Sequence, residues 1–134
     1  MSDRPLILAV IPDLMFQLRV REQAQALEFR IELADTMEEA ASSLDASPEL
    51  VVLDLHAMGI DTRKVIAHAK KRNVPVLAFG RHTETAVLRA AREAGADAVV
   101  VRSTFVEDLP QLLREHLRTG RQQTRAEKSR RRSS

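Results

Sequence analysis

Leu50-Val51-Val52-Leu53-Asp54-Leu55 decides the fold. Four consecutive apolar residues, two of them β-branched, read as a strand buried on both faces, which belongs in the middle of a parallel sheet. A carboxylate closes it. Working outward, four more short apolar runs appear, each followed by a helical pattern. Leu6 to Ile11 forms the first and Pro12 stops it. Asp13 then caps a helix whose stripe is Phe16, Val20, Ala24 and Leu27. Phe29 to Leu33 alternates, with Phe29, Ile31 and Leu33 on one side, and so predicts an edge strand. Thr36-Met37-Glu38-Glu39 reads as a capping box opening a helix to Leu44.

After Asp54 a loop runs to about Thr62. Val65, Ile66 and Ala69 mark a third helix, which ends in Lys70-Lys71-Arg72 with Asn73 as its stop. Val74 to Phe79 is the fourth strand. Thr83 is expected to cap a helix carrying Val87, Ala91 and Ala94 on one face, closed by Gly95 in a left-handed conformation. Ala98 to Val101 is the fifth strand, and one last helix carries Leu109, Leu112, Leu113 and Leu117. Strand–helix alternation repeated five times predicts an α/β doubly wound parallel sheet of order 2-1-3-4-5 with five helices. In such a sheet the working site lies at the carboxyl ends of strands one and three.

The 134 residues suit one domain. With four Phe and neither Trp nor Tyr, the core must come from aliphatic side chains. The absence of cysteine excludes disulfides, thiolate metal sites and a cysteine nucleophile. No apolar run is long enough to span a bilayer and the first follows no basic leader, so a cytoplasmic protein without membrane contact is expected. The net charge of +2 is unevenly spread. Residues 119–134 hold six basic side chains against Glu127, which leaves residues 1–118 at about −3. The domain is therefore expected over 1–118. Residues 119–134, with Arg, Gln, Ser and Thr and no apolar period, form a basic tail expected to be disordered. Arg121 to Arg132 could touch nucleic acid or another polyanion through charge alone, although no aromatic residue stands among them for stacking.

Three stretches carry a resemblance: Leu50 to Leu55, Val74-Pro75-Val76-Leu77-Ala78-Phe79, and Ala94-Gly95-Ala96-Asp97, with Gly59 and Asp61 following Asp54 at five and seven residues. In order and spacing they resemble the receiver domains of two-component response regulators, from about Leu6 to Leu117. That resemblance implies a flavodoxin-like receiver fold. It also implies a phosphoacceptor at Asp54, two Mg²⁺-binding acids after strand one, a hydroxyl after strand four, a lysine after strand five and an aromatic within strand five. This chain departs from most of the set. The acid pair falls on Ile11 and Pro12, with Asp13 one place late, the hydroxyl falls on Gly80, the lysine on Arg102, and the aromatic on Val99.

A degenerate, pseudo-receiver type is therefore expected: a stand-alone signalling domain, not an enzyme, acting by protein contact without Mg²⁺-dependent phosphorylation. The alternative is a working phosphoacceptor in a phosphorelay, phosphorylated on Asp54 with Mg²⁺ as cofactor; Asp13 and Asp54 would then be the metal ligands. Around Asp54 the pocket is expected to hold Asp13, His56, Gly80, His82 and Arg102, with an Asp54–Arg102 ion pair. No cofactor is otherwise implied. The resemblance points to a sensor kinase, a downstream signalling protein or a second copy as partner, meeting the face from 83 to 117 where Arg89, Arg92, Arg102 and Glu115 are expected to be exposed.

Two further patterns bear on chemistry. Asp54-x-His56-x-x-Gly59 matches the D-x-H-x-x-G pattern of cobalamin-binding domains. There it follows the first strand with four strand–helix units after it, whereas here two strands remain, so the match reads as coincidence. His56, His82 and Asp54 could also form a transition-metal site. No serine stands in a nucleophile motif, and Gly80-Arg81-His82 has too few glycines for a phosphate loop.

Overall fold

The computed structural model describes residues 4–117, so the expectations for the basic tail lie outside the described residues. Five strands, β1 (Leu6–Val10), β2 (Arg30–Leu33), β3 (Leu50–Asp54), β4 (Val76–Gly80) and β5 (Ala98–Val101), form one parallel sheet of order β2-β1-β3-β4-β5. β3 and β4 are buried along their whole length, as central strands must be, whereas β2 alternates as an edge.

Six helices cover the sheet: α1 (Leu14–Ala26), α2 (Met37–Asp45), α3 (Thr62–Lys71), α4 (Thr85–Ala94), α5 (Arg102–Glu107) and α6 (Leu109–His116). On one face Leu8, Val10, Val51, Leu53, Val76 and Ala78 pack under Leu44, Ile66 and Leu88. On the other, Ile7, Ala9, Val52, Leu77 and Phe79 pack under Val20, Ala24, Phe105, Leu109 and Leu113. No described helix is long and apolar enough to cross a membrane.

The sixth helix corrects the expected five. Pro110 has no N–H to donate four residues back, and in a continuous helix its ring would strike that carbonyl. The chain instead ends α5 at Asp108 and restarts, with Pro110 in the first turn of α6, where a missing donor costs nothing. Thr83 is not the cap of α4 either. Glu84 holds that position without a side-chain bond, leaving Thr83 exposed. The Thr36 cap forms, with its hydroxyl accepting from Glu39 N–H at 3.1 Å. The reciprocal arm lands one residue early, because Glu39 Oε1 accepts from Asp35 N–H at 2.7 Å.

Ala94-Gly95-Ala96-Asp97 shows what its residues do. Gly95 sits at φ 109°, a conformation that side chains resist, and turns the chain from α4 toward β5. Asp97 then fastens that turn to the sheet: Oδ2 accepts from the N–H of buried Val76 at 2.7 Å and Oδ1 meets Lys70 Nζ at 3.2 Å. The bond to Val76 outweighs the Lys70 pair, because partly exposed ion pairs contribute about 0–1 kcal/mol. Asp97→Ala should cost about 1–3 kcal/mol, the range for leaving a buried donor unsatisfied, and Lys70→Gln less than half of that by urea denaturation. Equal losses would show that the ion pair carries the turn.

Candidate functional site

Asp54 ends β3 opposite Phe79, and the two-residue period puts it on the sheet face of Leu50 and Val52. It is 4% exposed. Its Oδ1 accepts the backbone N–H of His56 at 2.9 Å, a tight local turn that aims the following loop. A crevice of about 280 Å³ opens above it, lined by Pro12, Asp13, Asp54, His56, Ala57, Met58, Arg81 and Arg102. Of the expected pocket residues, the fold thus brings Asp13, His56 and Arg102 around Asp54.

Gly80 lies immediately behind this wall. A Cβ there would stand 3.2 Å from His56 Nε2, so the imidazole fills space that a side chain after strand four would need. His56 is held at both ends, since Nε2 accepts the Arg81 N–H at 3.1 Å. An accepting Nε2 puts the ring proton on Nδ1. His82, by contrast, lines a separate groove with Phe16, Thr83, Val101, Arg102, Ser103, Val106 and Glu107, next to Arg81. The two histidines therefore face different cavities.

Arg102 corrects two expectations. No ion pair joins it to Asp54, and it is half-buried where the contact face was expected to expose it. Its guanidinium lies over the Phe16 ring, 4.5 Å from the centroid. Arginine's planar and weakly hydrated cation suits that position. Phe16 in turn packs against Phe79 at 5.5 Å and Phe105 at 6.3 Å, an aromatic cluster that ties α1 and α5 to β4. Val99, at the aromatic position of strand five, is half-buried against the α4 side of the core.

A receiver fold implies Mg²⁺ beside the acceptor, and the donor set can be tested against it. Asp13 Oδ1 accepts from Met15 N–H at 2.9 Å and Phe16 N–H at 3.2 Å, so this carboxylate caps α1. Ile11 is wholly buried in the core, and neither it nor Pro12 offers a side-chain oxygen. Both carboxylates of the crevice spend one oxygen on backbone donors, and Arg81 and Arg102 already bring positive charge to its walls. Among the described residues no group of three or more His, Cys, Asp or Glu side chains is placed to hold a metal. Each of the two carboxylates keeps one oxygen outside these bonds, and neither Ile11 nor Pro12 adds a third oxygen ligand of the kind magnesium takes. The D-x-H-x-x-G histidine is likewise committed, to the Arg81 amide.

Sequence reasoning missed Gln17. It is buried within the α1 stripe, and its Nε2 donates to Ile11 O at 2.6 Å and Asp35 Oδ1 at 3.0 Å, pinning the loop after β1 to the one after β2. Four exposed apolar side chains were also missed. Leu14, Met15 and Leu18 of α1 and Met58 beside Asp54 are exposed by 77%, 73%, 53% and 86%.

No family model matches this sequence, and no curated protein matches it. Solved structures do. NtrX from Brucella abortus superposes with a TM-score of 0.79 at 19% identity over 97% of this chain, which spans 30% of that protein. The signal receiver domain of a LuxO repressor protein from Vibrio parahaemolyticus gives 0.76 at 16% identity, covering 92% of this chain and 98% of its own. A response regulator from Burkholderia pseudomallei, solved with a phosphorylated aspartic acid, a calcium ion and citrate, gives 0.71 at 19%, covering 92% and 72%. The chain has the receiver fold.

Proposed function

We propose that this chain is a pseudo-receiver signalling domain, not an enzyme, which works by protein contact and takes up no phosphoryl group through Mg²⁺ chemistry at Asp54. The observation that carries this reading is the engagement of Asp13. Asp13, the acid that follows β1 in the chain, engages one carboxylate oxygen on the first turn of α1. Phosphoryl transfer needs charge neutralised around the equatorial oxygens by metal and cation together, and the cations that line the acceptor crevice are Arg81 and Arg102. Contact is assigned to the face from 83 to 117, where Arg89, Arg92 and Glu115 are exposed. The partner is a sensor kinase, a downstream signalling protein or a second copy, in the cytoplasm.

One observation favours the second reading, a phosphoacceptor in a phosphorelay. Asp54 ends the central strand, and Arg81 and Arg102 at its mouth have no ion pair among the described residues. Intact mass after incubation with acetyl phosphate and Mg²⁺ separates the two. The expected result is an unchanged mass. An adduct of about 80 Da, present in the parent and lost in Asp54→Asn, would establish the phosphorelay reading instead.

A further inference from the structure

A second cavity, a groove, lies beside the Asp54 crevice. It measures about 600 Å³, within the range typical of small-molecule sites. Three elements wall it: Phe16 from α1, Arg81 to Thr83 before α4, and Val101 to Glu107 at the end of β5 and along α5. Phe16, Val101 and Val106 are half-buried and give it an apolar floor. Arg81 and Arg102 line it, and neither has an ion pair among the described residues. Arg102 Nε is buried and has no hydrogen-bond partner, while its guanidinium lies over the Phe16 ring. A buried donor without an acceptor is uncommon, and an uncompensated guanidinium on an aromatic ring is a ready seat for an anion.

We propose that this groove binds a small organic anion with a flat apolar body, a carboxylate or phosphate ester whose charged group pairs with Arg102 and Arg81 while its body lies on Phe16, Val101 and Val106. Charge sets the polarity of the site. Glu107, five residues after Arg102 on the same helix, stands about 7.5 Å further along the axis and repels the charged end, which places it at the arginines. The Asp54 crevice is excluded as the seat, because it is half the volume and carries the carboxylates of Asp13 and Asp54. The site stands whether or not the domain signals through the 83–117 face.

The test uses the full chain, ¹⁵N-labelled, titrated with 2-naphthoate, with its neutral isostere 2-naphthamide, and with inorganic phosphate. Naphthoate is expected to shift the amides of Thr83, Val101, Ser103 and Val106 saturably. Naphthamide should bind at least about tenfold more weakly, the loss of a charge-assisted pair, and phosphate without an apolar body should bind as weakly. Arg81→Gln and Arg102→Gln should each weaken naphthoate by about fivefold or more, with Lys71→Gln on α3 unchanged. If Arg102→Gln loses its native melting transition, Arg81→Gln carries the test. Three outcomes overturn the proposal: no saturable shift at these amides up to about 10 mM, equal binding of the amide, or no response to Arg81→Gln.

Discussion

Phe105→Ala is expected to destabilise the domain by about 3–5 kcal/mol, the range for removing a buried aromatic ring. Phe105 is fully buried and stacks on Phe79 with centroids 4.1 Å apart and planes inclined by 19°. That pair is worth something beyond its area, since offset aromatic pairs contribute about 0.5–1.5 kcal/mol. The surroundings cannot close over the gap. Phe79 belongs to the central strand β4, and α5 is pinned between β5 and the break at Asp108. The cost should therefore sit high in the range and lower the melting temperature by on the order of 10–20 °C for a domain of this size. Phe105→Leu fills part of the space and should lose under half as much. Leu14→Ala, equally apolar in the sequence but 77% exposed, should change stability by less than about 0.5 kcal/mol. Urea denaturation at constant m-value reads all three. A Phe105→Ala loss below about 1.5 kcal/mol would mean that α5 is not anchored to the sheet through this ring.

The contrast between Phe105 and Leu14 also marks what a sequence reveals. The central place of β3 and the edge place of β2 followed from uniform against alternating apolar runs, because burial on both faces or one leaves a direct imprint on Leu50 to Leu53 and on Phe29 to Leu33. The cap at Asp13, the left-handed Gly95 and the stop at Asn73, with φ 60°, are local signals and were readable for that reason. The break between α5 and α6 had its signal in Pro110, but Leu109, Leu112, Leu113 and Leu117 all belong to the stretch after it, so the apolar period marked α6 alone and left α5 without a pattern of its own. Arg102 was readable as a pocket residue, but its contact was not. Position along the strand put it beside Asp54, while the ring that takes its guanidinium comes from Phe16 on the first helix. Gln17 was hidden for the same kind of reason, as its partners are a carbonyl and a carboxylate on two other loops. Long-range partners decide the site; local pattern decides the frame.

Gly80→Thr places a hydroxyl at the end of β4, and it is expected to be costly while His56 remains. A Cβ at this position stands 3.0 Å from Leu88 Cδ2, 3.2 Å from His56 Nε2 and 3.4 Å from Leu55 Cδ1. Overpacking costs about 1–3 kcal/mol, and adding three heavy atoms puts the change in the upper part of that range. The stiffer unfolded chain returns about 0.4–1 kcal/mol. Leu88 Cδ2 is the far end of a flexible side chain and can rotate away. His56 cannot, because its main chain is tied to Asp54 and its ring accepts the Arg81 amide, so moving it breaks the bond that fixes the start of the β4–α4 loop. The imidazole is thus the decisive neighbour. In a His56→Ala background Gly80→Thr should cost at least about 1 kcal/mol less, a coupling typical of residues in contact. The double variant should still gain no mass from acetyl phosphate, since Ile11 and Pro12 still offer no carboxylate after β1. An equal cost in both backgrounds would shift the clash to Leu88 and Leu55, and His56 would no longer account for the glycine.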